Sequence, residues 1–158
     1  MATTPSGDLP ALSIRPAYGA VEYPALTRIW RSAVDATHDF LAAVDRREIE
    51  SQLQSDYFPA VTLSVAEVGA RPVGFSGVFD GNLEMLFVDA TRRSGGIGSA
   101  LLTHAIGELA VNRVDVNEQN EAAPGFYIHH GFDVVGRSET DEAGRPYPLL
   151  HMRLRDES

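Results

Sequence analysis

Residues 92–102 read RRSGGIGSALL, so three glycines and two arginines lie directly before a run of apolar residues. Glycine allows the backbone to adopt positive φ and to come close to a ligand, and the first amides of a helix have no partner inside it. Because the helix dipole also favours an anion at that end, a pyrophosphate fits such a turn. A glycine-rich loop that binds no ligand has the same sequence features. This stretch alone therefore does not decide between a pyrophosphate-binding turn and a plain loop.

Two other phosphate-binding loops do not fit these residues. A P-loop requires Gly-Lys-Ser/Thr before its helix, and residues 92–102 contain no lysine. The dinucleotide-binding pattern G-x-G-x-x-G begins well at Gly96 and Gly98, but Leu101 stands where the third glycine belongs. That pattern also follows the first strand of a βαβ unit, whereas this loop follows a predicted meander. Both loops are therefore rejected.

The periodicity of apolar residues around the loop predicts an alternation of helices and strands. Period-two segments predict strands at 11–17, 61–68, 72–79, 82–89, 113–117, 132–140 and 147–154. Helical spacing predicts helices at 21–34, 45–57, about 97–109 and 120–131. This order predicts an α/β (α+β) fold with a mixed central sheet flanked by helices. Residues 1–10 are expected to form a flexible tail, and residues 11–158 one domain.

Composition excludes several classes of function. The formal net charge is −9 and the basic residues are scattered, so no nucleic-acid partner is expected. The chain has no cysteine, and its five histidines follow no ligand spacing, so no metal is expected. No apolar run approaches the roughly 20 residues that span a bilayer, and the start lacks a signal-peptide pattern. We expect a cytoplasmic monomer or homodimer without a membrane contact.

Two segments together resemble one enzyme family. LFVDATRRSGGIGSALL at 86–102 and VNEQNEAAPGFYIHHGF at 116–132 resemble the acetyl-CoA-dependent GNAT N-acetyltransferases, over roughly residues 12–154. ATHDFL at 36–41 and GRSETDEAGRPYPLL at 136–150 resemble a bacterial subgroup of small acetyltransferases of the YjaB type. The resemblance implies the GNAT acyl-CoA fold, acetyl-CoA as co-substrate, and direct transfer to a primary amine in a ternary complex. A non-catalytic acyl-CoA sensor or regulatory module on the same fold is the alternative.

The resemblance also implies which residues bind the cofactor. The loop amides would bind the CoA pyrophosphate, and the strand before them the pantetheine arm, with the Val88 amide polarising the thioester carbonyl. Tyr127 would also bind there and donate a proton to the CoA sulfur as the catalytic acid. The cofactor-binding residues so implied are Phe87, Val88, Arg93, Ser94, Gly95, Gly96, Gly98, Ser99, Asn120 and Tyr127.

The base and the acceptor site follow less directly. Glu84 stands where several relatives place a carboxylate that works through water, and His38 has a suitable intrinsic pKa. A structural or surface role stays open for each of them. The predicted acceptor-binding residues are Trp30, Val34, Thr37, His38, Phe40 and Tyr147. Helical spacing gives Trp30 a core role as well.

Four other histidines receive no catalytic role from the sequence. His129 and His130 are interpreted as structural residues of the short helix, and no motif supports His104 or His151. In the same helix, Pro124 falls near the fourth position if Asn120 is the cap, which predicts a slightly irregular entry.

Overall fold

Seven strands form one mixed sheet in the order β1-β2-β3-β4-β5-β7-β6. The structure is a computed structural model that describes residues 11–92 and 95–156. The predicted tail at 1–10 and the loop residues Arg93 and Ser94 lie outside the described residues. The strands are β1 Leu12–Pro16, β2 Thr62–Val68, β3 Arg71–Phe79, β4 Asn82–Val88, β5 Arg113–Asn117, β6 Phe132–Ser138 and β7 Leu149–Leu154.

The helices lie close to where the sequence predicts them, but the bounds of all except α3 differ by two residues or more. They are α1 Tyr23–Thr37, α2 Ala43–Gln52, α3 Ile97–Leu109 and α4 Ala122–His129. The second helix is shorter than the predicted 45–57, because a wide turn over Leu53–Tyr57 and a 3-10 turn over Phe58–Ala60 follow it. The amide of Phe58 bonds to the carbonyl of Leu53, and both side chains are buried. A bond between residues five apart brings onto one face two side chains that an α-helix would separate.

The entry to α4 differs from the cap that the sequence suggests. The helix begins at Ala122 with Glu121 at the N-cap position, so Asn120 lies outside it. Pro124 is therefore the third helical residue, where an amide has no partner within the helix. The missing proline N–H costs no helical bond at this position. The helix ends as predicted, with Gly131 following at a φ of 100°.

Helices pack on both faces of the sheet. Alternating side chains of β4 point to opposite faces, and Leu86 and Val88 pack against the cluster that holds Ile97 and Leu101 of α3. Met85 and Phe87 point the other way and pack against the cluster formed with α1, whose buried face includes Leu26, Ile29, Trp30 and Val34. The mixed, helix-flanked sheet expected from the sequence is thus confirmed.

Among the described helices, none combines the length and the apolar composition needed to cross a membrane.

Candidate active site

The centre of the sheet opens between β4 and β5. These two strands pair in parallel only at Asn82 with Arg113 and at Leu83 with Val114. Both strands continue beyond these pairs, β4 as far as Val88, without further pairing to each other in the described ladder. The edge of β4 that faces β5 therefore offers backbone amides and carbonyls to a ligand.

A bulge in β4 coincides with the opening. Leu83 pairs with Val78 of β3 and Met85 pairs with Gly77, so Glu84 is an extra residue without a partner on β3. A bulge redirects the side chains around it. It allows Glu84 to join Met85 and Phe87 in lining the cavity on the α1 face. The Asn82 side-chain amide donates a hydrogen bond to the Glu84 carboxylate.

The cavity on the α1 face has a volume of about 480 Å³ and an aromatic and apolar wall. Five of the six predicted acceptor-binding residues line it: Trp30, Val34, His38, Phe40 and Tyr147. Thr37 is not among the lining residues, since its hydroxyl donates back to the carbonyl of Ala33 at 2.8 Å. The Tyr147 hydroxyl accepts from the amide of Ala42 at 3.0 Å and donates to Asp45. That tyrosine therefore fixes the loop before α2 against the β6–β7 connection.

His38 follows α1 directly and forms part of the aromatic wall. Its ring centroid lies 5.1 Å from that of Phe40 and 6.5 Å from that of Phe87. Burial lowers the pKa of His38, and the charge of Asp39 opposes this effect only partly. A histidine whose pKa lies below 6.5 is neutral at pH 7 and can accept a proton.

Carboxylates dominate the charge of the cavity. The charged side chains that line it are Glu84, Asp115, Asp141, Glu142 and Arg145. Arg145 is already paired, with Glu48 and with Asp141 at 3.4 Å. Burial raises the pKa of Glu142, and the nearby carboxylates of Glu84, Asp115 and Asp141 raise it further. The cavity therefore has an excess of negative charge that favours a cationic ligand.

The glycine loop leads into α3 on the opposite face of the sheet. Gly96 is the N-cap of α3 with a φ of 76°, a conformation that strains other residues. At Gly98, an added Cβ would lie 3.6 Å from the Phe126 ring of α4, so this ring packs against the first turn of α3. The hydroxyl of Ser99 lies 3.0 Å from Nε2 of His130. The structural role predicted for His130 is thus supported by a contact that joins α4 to the loop.

Tyr127 lies on α4, and Asn120 precedes that helix. The Tyr127 side chain is 7% exposed and packs edge-on against Phe126 and Phe132. Burial strongly raises the pKa of its phenol, so the hydroxyl keeps its proton at neutral pH. Asn120 lies in the turn between β5 and α4, where its amide donates to the carbonyl of Asn117 at 3.1 Å.

Sequence reasoning missed one polar array beside the opening. Nδ1 of His151 on β7 lies 2.6 Å from Oδ1 of Asp115 on β5, and its Nε2 lies 2.6 Å from Oγ of Ser138 on β6. Asp115 and Glu84 both line the main cavity and a second one of about 470 Å³. The alternation in RVDVN, where Val114 and Val116 are buried, was the available signal that Asp115 faces the other way.

Comparison with known proteins identifies the family to which this fold and this site belong. The family model described as Acetyltransferase (GNAT) domain matches residues 29–155. The chain belongs to the GNAT acetyltransferase family, as its two motifs predict. Among the described residues, no group of three or more histidine and carboxylate side chains is arranged to hold a metal ion.

Similar proteins give the comparison more detail. The peptidyl-lysine N-acetyltransferase YjaB of Salmonella typhimurium is 46% identical over 128 residues, which cover 80% of this chain and 88% of that protein. The solution structure of apo-form YjaB from Escherichia coli matches with a TM-score of 0.83 at 41% identity, covering 93% of this chain and 99% of that one. YncA of Salmonella typhimurium, solved with its cofactor acetyl-CoA, has the same fold, with a TM-score of 0.63 at 23% identity over 94% of this chain and 96% of that one.

These findings confirm the expected activity: the chain is an N-acetyltransferase that uses acetyl-CoA. The alternative of a non-catalytic acyl-CoA sensor is not favoured.

Proposed function

We propose that the acceptor is the side-chain amine of a lysine in a peptide or protein. The observation that carries the proposal is the cavity at the opening of the sheet, which combines apolar walls with an excess of carboxylates. A lysine has the matching chemistry, because its four-carbon stem is apolar and its tip is a cation. The similarity to a peptidyl-lysine N-acetyltransferase supports this choice.

The reaction needs two proton transfers, which we assign to different residues. An alkylamine has a pKa of about 10.4, so the acceptor has to lose a proton before it attacks. His38 and Glu84 are the proposed bases, and both line the cavity that would hold the amine. Acetyl-CoA supplies the acetyl group as a thioester. Tyr127 is the proposed acid, which gives its phenolic proton to the sulfur as the C–S bond breaks and the N–C bond forms. The nitrogen loses its second proton as the amide forms, and that proton replaces the one lost from the phenol.

We assign the cofactor to the opening and to the start of α3. The free edge of β4, including Phe87 and Val88, supports binding of the pantetheine arm, with the Val88 amide donating to the thioester oxygen. The turn at Gly95, Gly96, Gly98 and Ser99 supports binding of the pyrophosphate at the helix N-terminus. Arg93, Ser94 and Asn120 keep the roles that the family resemblance implies.

A peptide assay tests the acceptor class. One peptide contains a single lysine and a blocked N-terminus, and its partner contains norleucine in place of lysine and a free N-terminus. We expect release of CoA thiol and a gain of one acetyl group with the first peptide only. Acetylation of the second peptide alone, or of neither, would contradict a lysine acceptor.

A matched pair of variants tests the cavity as the lysine site. Asp115→Asn removes one lining charge, and we expect it to raise KM for the lysine peptide by about tenfold, the value of a hydrogen bond to a charged group. Asp133→Asn is the control, because Asp133 is exposed on β6 and pairs with Arg155. Equal KM values for the two variants would place the acceptor elsewhere.

The remaining expectations about setting and partners belong to the same proposal. The net charge of −9 supports an acceptor other than a nucleic acid. A cytoplasmic location, the lack of a membrane contact and a monomeric or homodimeric state remain predictions from the sequence.

A further inference from the structure

The last turn of α1 ends in a chain of two hydrogen bonds. The Thr37 hydroxyl lies 2.8 Å from the carbonyl oxygen of Ala33, one turn earlier in the helix. The same hydroxyl lies 2.6 Å from Nδ1 of His38. The first distance is usual for a hydrogen bond, and the second is slightly shorter than is usual between nitrogen and oxygen.

The number of available protons determines which group donates in each of these two hydrogen bonds. A carbonyl oxygen can only accept, so the single hydroxyl proton of Thr37 lies on the bond to Ala33. The Thr37 oxygen is then an acceptor toward His38, and the proton of that bond has to belong to Nδ1. A neutral imidazole carries one ring proton, so Nε2 is left with a free lone pair.

His38 lies where the free Nε2 of this tautomer can contact a molecule in the cavity. His38 lines the acceptor cavity between Phe40 and Phe87, whose strand β4 runs along the opening of the sheet. Since Nδ1 is occupied by Thr37, Nε2 is the nitrogen that remains for a molecule in the cavity. Burial also lowers the pKa of His38, which keeps the ring neutral.

We propose that Thr37 is a positioning residue, which holds His38 in the Nδ1–H tautomer so that Nε2 is the basic nitrogen offered to the acceptor amine. This inference rests on the proposed role of His38 as a base. The ammonium proton moves to Nε2, the amine attacks, and the imidazolium that forms keeps its Nδ1–H bond to Thr37. The imidazolium then returns the proton to water.

Other titratable groups surround His38 and contribute to its pH dependence. Asp39 is next to it in the chain and raises its pKa. The titratable and charged side chains that share the cavity are Tyr57, Glu84, Asp115, Asp141, Glu142, Arg145 and Tyr147. A change in pH profile is therefore assigned to His38 only by comparing variants at Thr37 that leave these groups unchanged.

Three variants separate the tautomer from the stability of the helix. Thr37→Val keeps the size of the side chain and removes the hydroxyl, and Thr37→Ser restores the hydroxyl. Thr27→Val is the matched control, because Thr27 on the same helix also donates to a carbonyl four residues earlier, Tyr23 at 2.9 Å, and does not contact a histidine. Thr27→Val measures how the loss of such a hydroxyl changes the stability of the fold when no histidine is involved.

The deciding measurement is the imidazole ¹⁵N spectrum of the protein without substrates, with His38 assigned from a His38→Gln variant. We expect the Nδ1–H tautomer in the parent and in Thr37→Ser, and a mixture or the Nε2–H tautomer in Thr37→Val. The Nε2–H tautomer in the parent, or an unchanged spectrum in Thr37→Val, would overturn the inference. This reading needs no acceptor, so it decides the inference even if lysine peptides are not substrates.

Steady-state kinetics with the lysine peptide provide a second test of the inference. Thr37→Val should lower kcat by about tenfold, the effect of losing one hydrogen bond, and shift the acid limb of the kcat–pH profile. Thr37→Ser and Thr27→Val should keep the parental profile. A Thr37→Val enzyme with the parental kcat and pH profile would overturn the inference, whatever its melting temperature.

Discussion

At the scale of single residues, burial determines the protonation state of Tyr127, the proposed acid. Its ring packs between Phe126 and Phe132, and burial raises the pKa of its phenol. A phenol with a raised pKa is fully protonated at neutral pH. The same shift makes the phenol a weaker acid than usual, so the proposed transfer occurs only as negative charge develops on the sulfur.

Tyr127→Phe tests this role with little change in packing. We expect kcat to fall by on the order of 100-fold, the usual range for a positioned acid, because the phenolic proton is lost. The melting temperature and the affinity for acetyl-CoA should change little, since the ring remains. Steady-state kinetics, thermal unfolding and calorimetric titration measure the three quantities.

Tyr23→Phe is the matched control for this substitution. Tyr23 packs in the core with a ring centroid 5.2 Å from that of Phe58, away from the cofactor loop. Parental turnover by a stable Tyr127→Phe enzyme would assign the proton donor to water or to another side chain.

The residues of the site were predictable to different degrees. Local motifs placed Trp30, His38 and Phe40 together, because all three lie on or just after α1. The array of Asp115, Ser138 and His151 joins three strands, with separations of 36 and 13 residues along the chain. Such contacts depend on strand order and register, which the spacing of apolar residues does not contain.

At the scale of elements, regular periodicity predicted more than irregular turns. The bounds of α3 match the prediction because Ile97, Leu101 and Ala105 form one buried face at helical spacing. The bulge at Glu84 was not predictable, since it exists only relative to the partner strand β3. The wide turn after α2 likewise depends on tertiary packing, which buries both Leu53 and Phe58 beneath α1.

Gly74 determines how closely α3 approaches the sheet. An added Cβ would lie 3.1 Å from Cγ2 of Ile97, 3.1 Å from the carbonyl oxygen of Phe87 and 3.2 Å from Cδ1 of Leu101. Two of these atoms belong to α3 and one to the backbone of β4, so the strand and the helix both have to move. The cofactor loop and the free edge of β4 would move with them.

Gly74→Ala should therefore destabilise the fold and weaken cofactor binding together. We expect a loss of about 1–3 kcal/mol in the free energy of unfolding, as for other overpacked cores. Gly107→Ala on α3 is the control: nothing lies within 4 Å of its added Cβ, so higher helix propensity should stabilise by about 0.5–1 kcal/mol. Urea unfolding measures both changes. Equal stability of the two variants would show that α3 is not held at this distance by Gly74.

At the scale of the whole molecule, the sheet separates the two proposed substrate sites. The start of α3 lies on one face, and the proposed acceptor cavity lies on the α1 face. At the opening between β4 and β5 the described strands are not paired with each other, so the two faces of the sheet are connected there. A thioester in this opening would meet an amine from the cavity side while its CoA portion remained on the other side. The architecture thus favours simultaneous occupation of both sites.

Kinetic order tests this architecture. The chain has no cysteine to form an acetyl-thioenzyme, so the amine should attack the thioester directly within a ternary complex. Initial rates measured against acetyl-CoA at several fixed concentrations of the lysine peptide should give double-reciprocal lines that intersect. A peptide with Nε-trimethylated lysine in the acceptor position, offered together with acetyl-CoA, serves as the control for thiol release that does not depend on transfer. Parallel lines, together with an isolated acetyl-enzyme that passes its acetyl group to the peptide at a competent rate, would contradict direct attack, because such a covalent intermediate lets one substrate leave before the other binds.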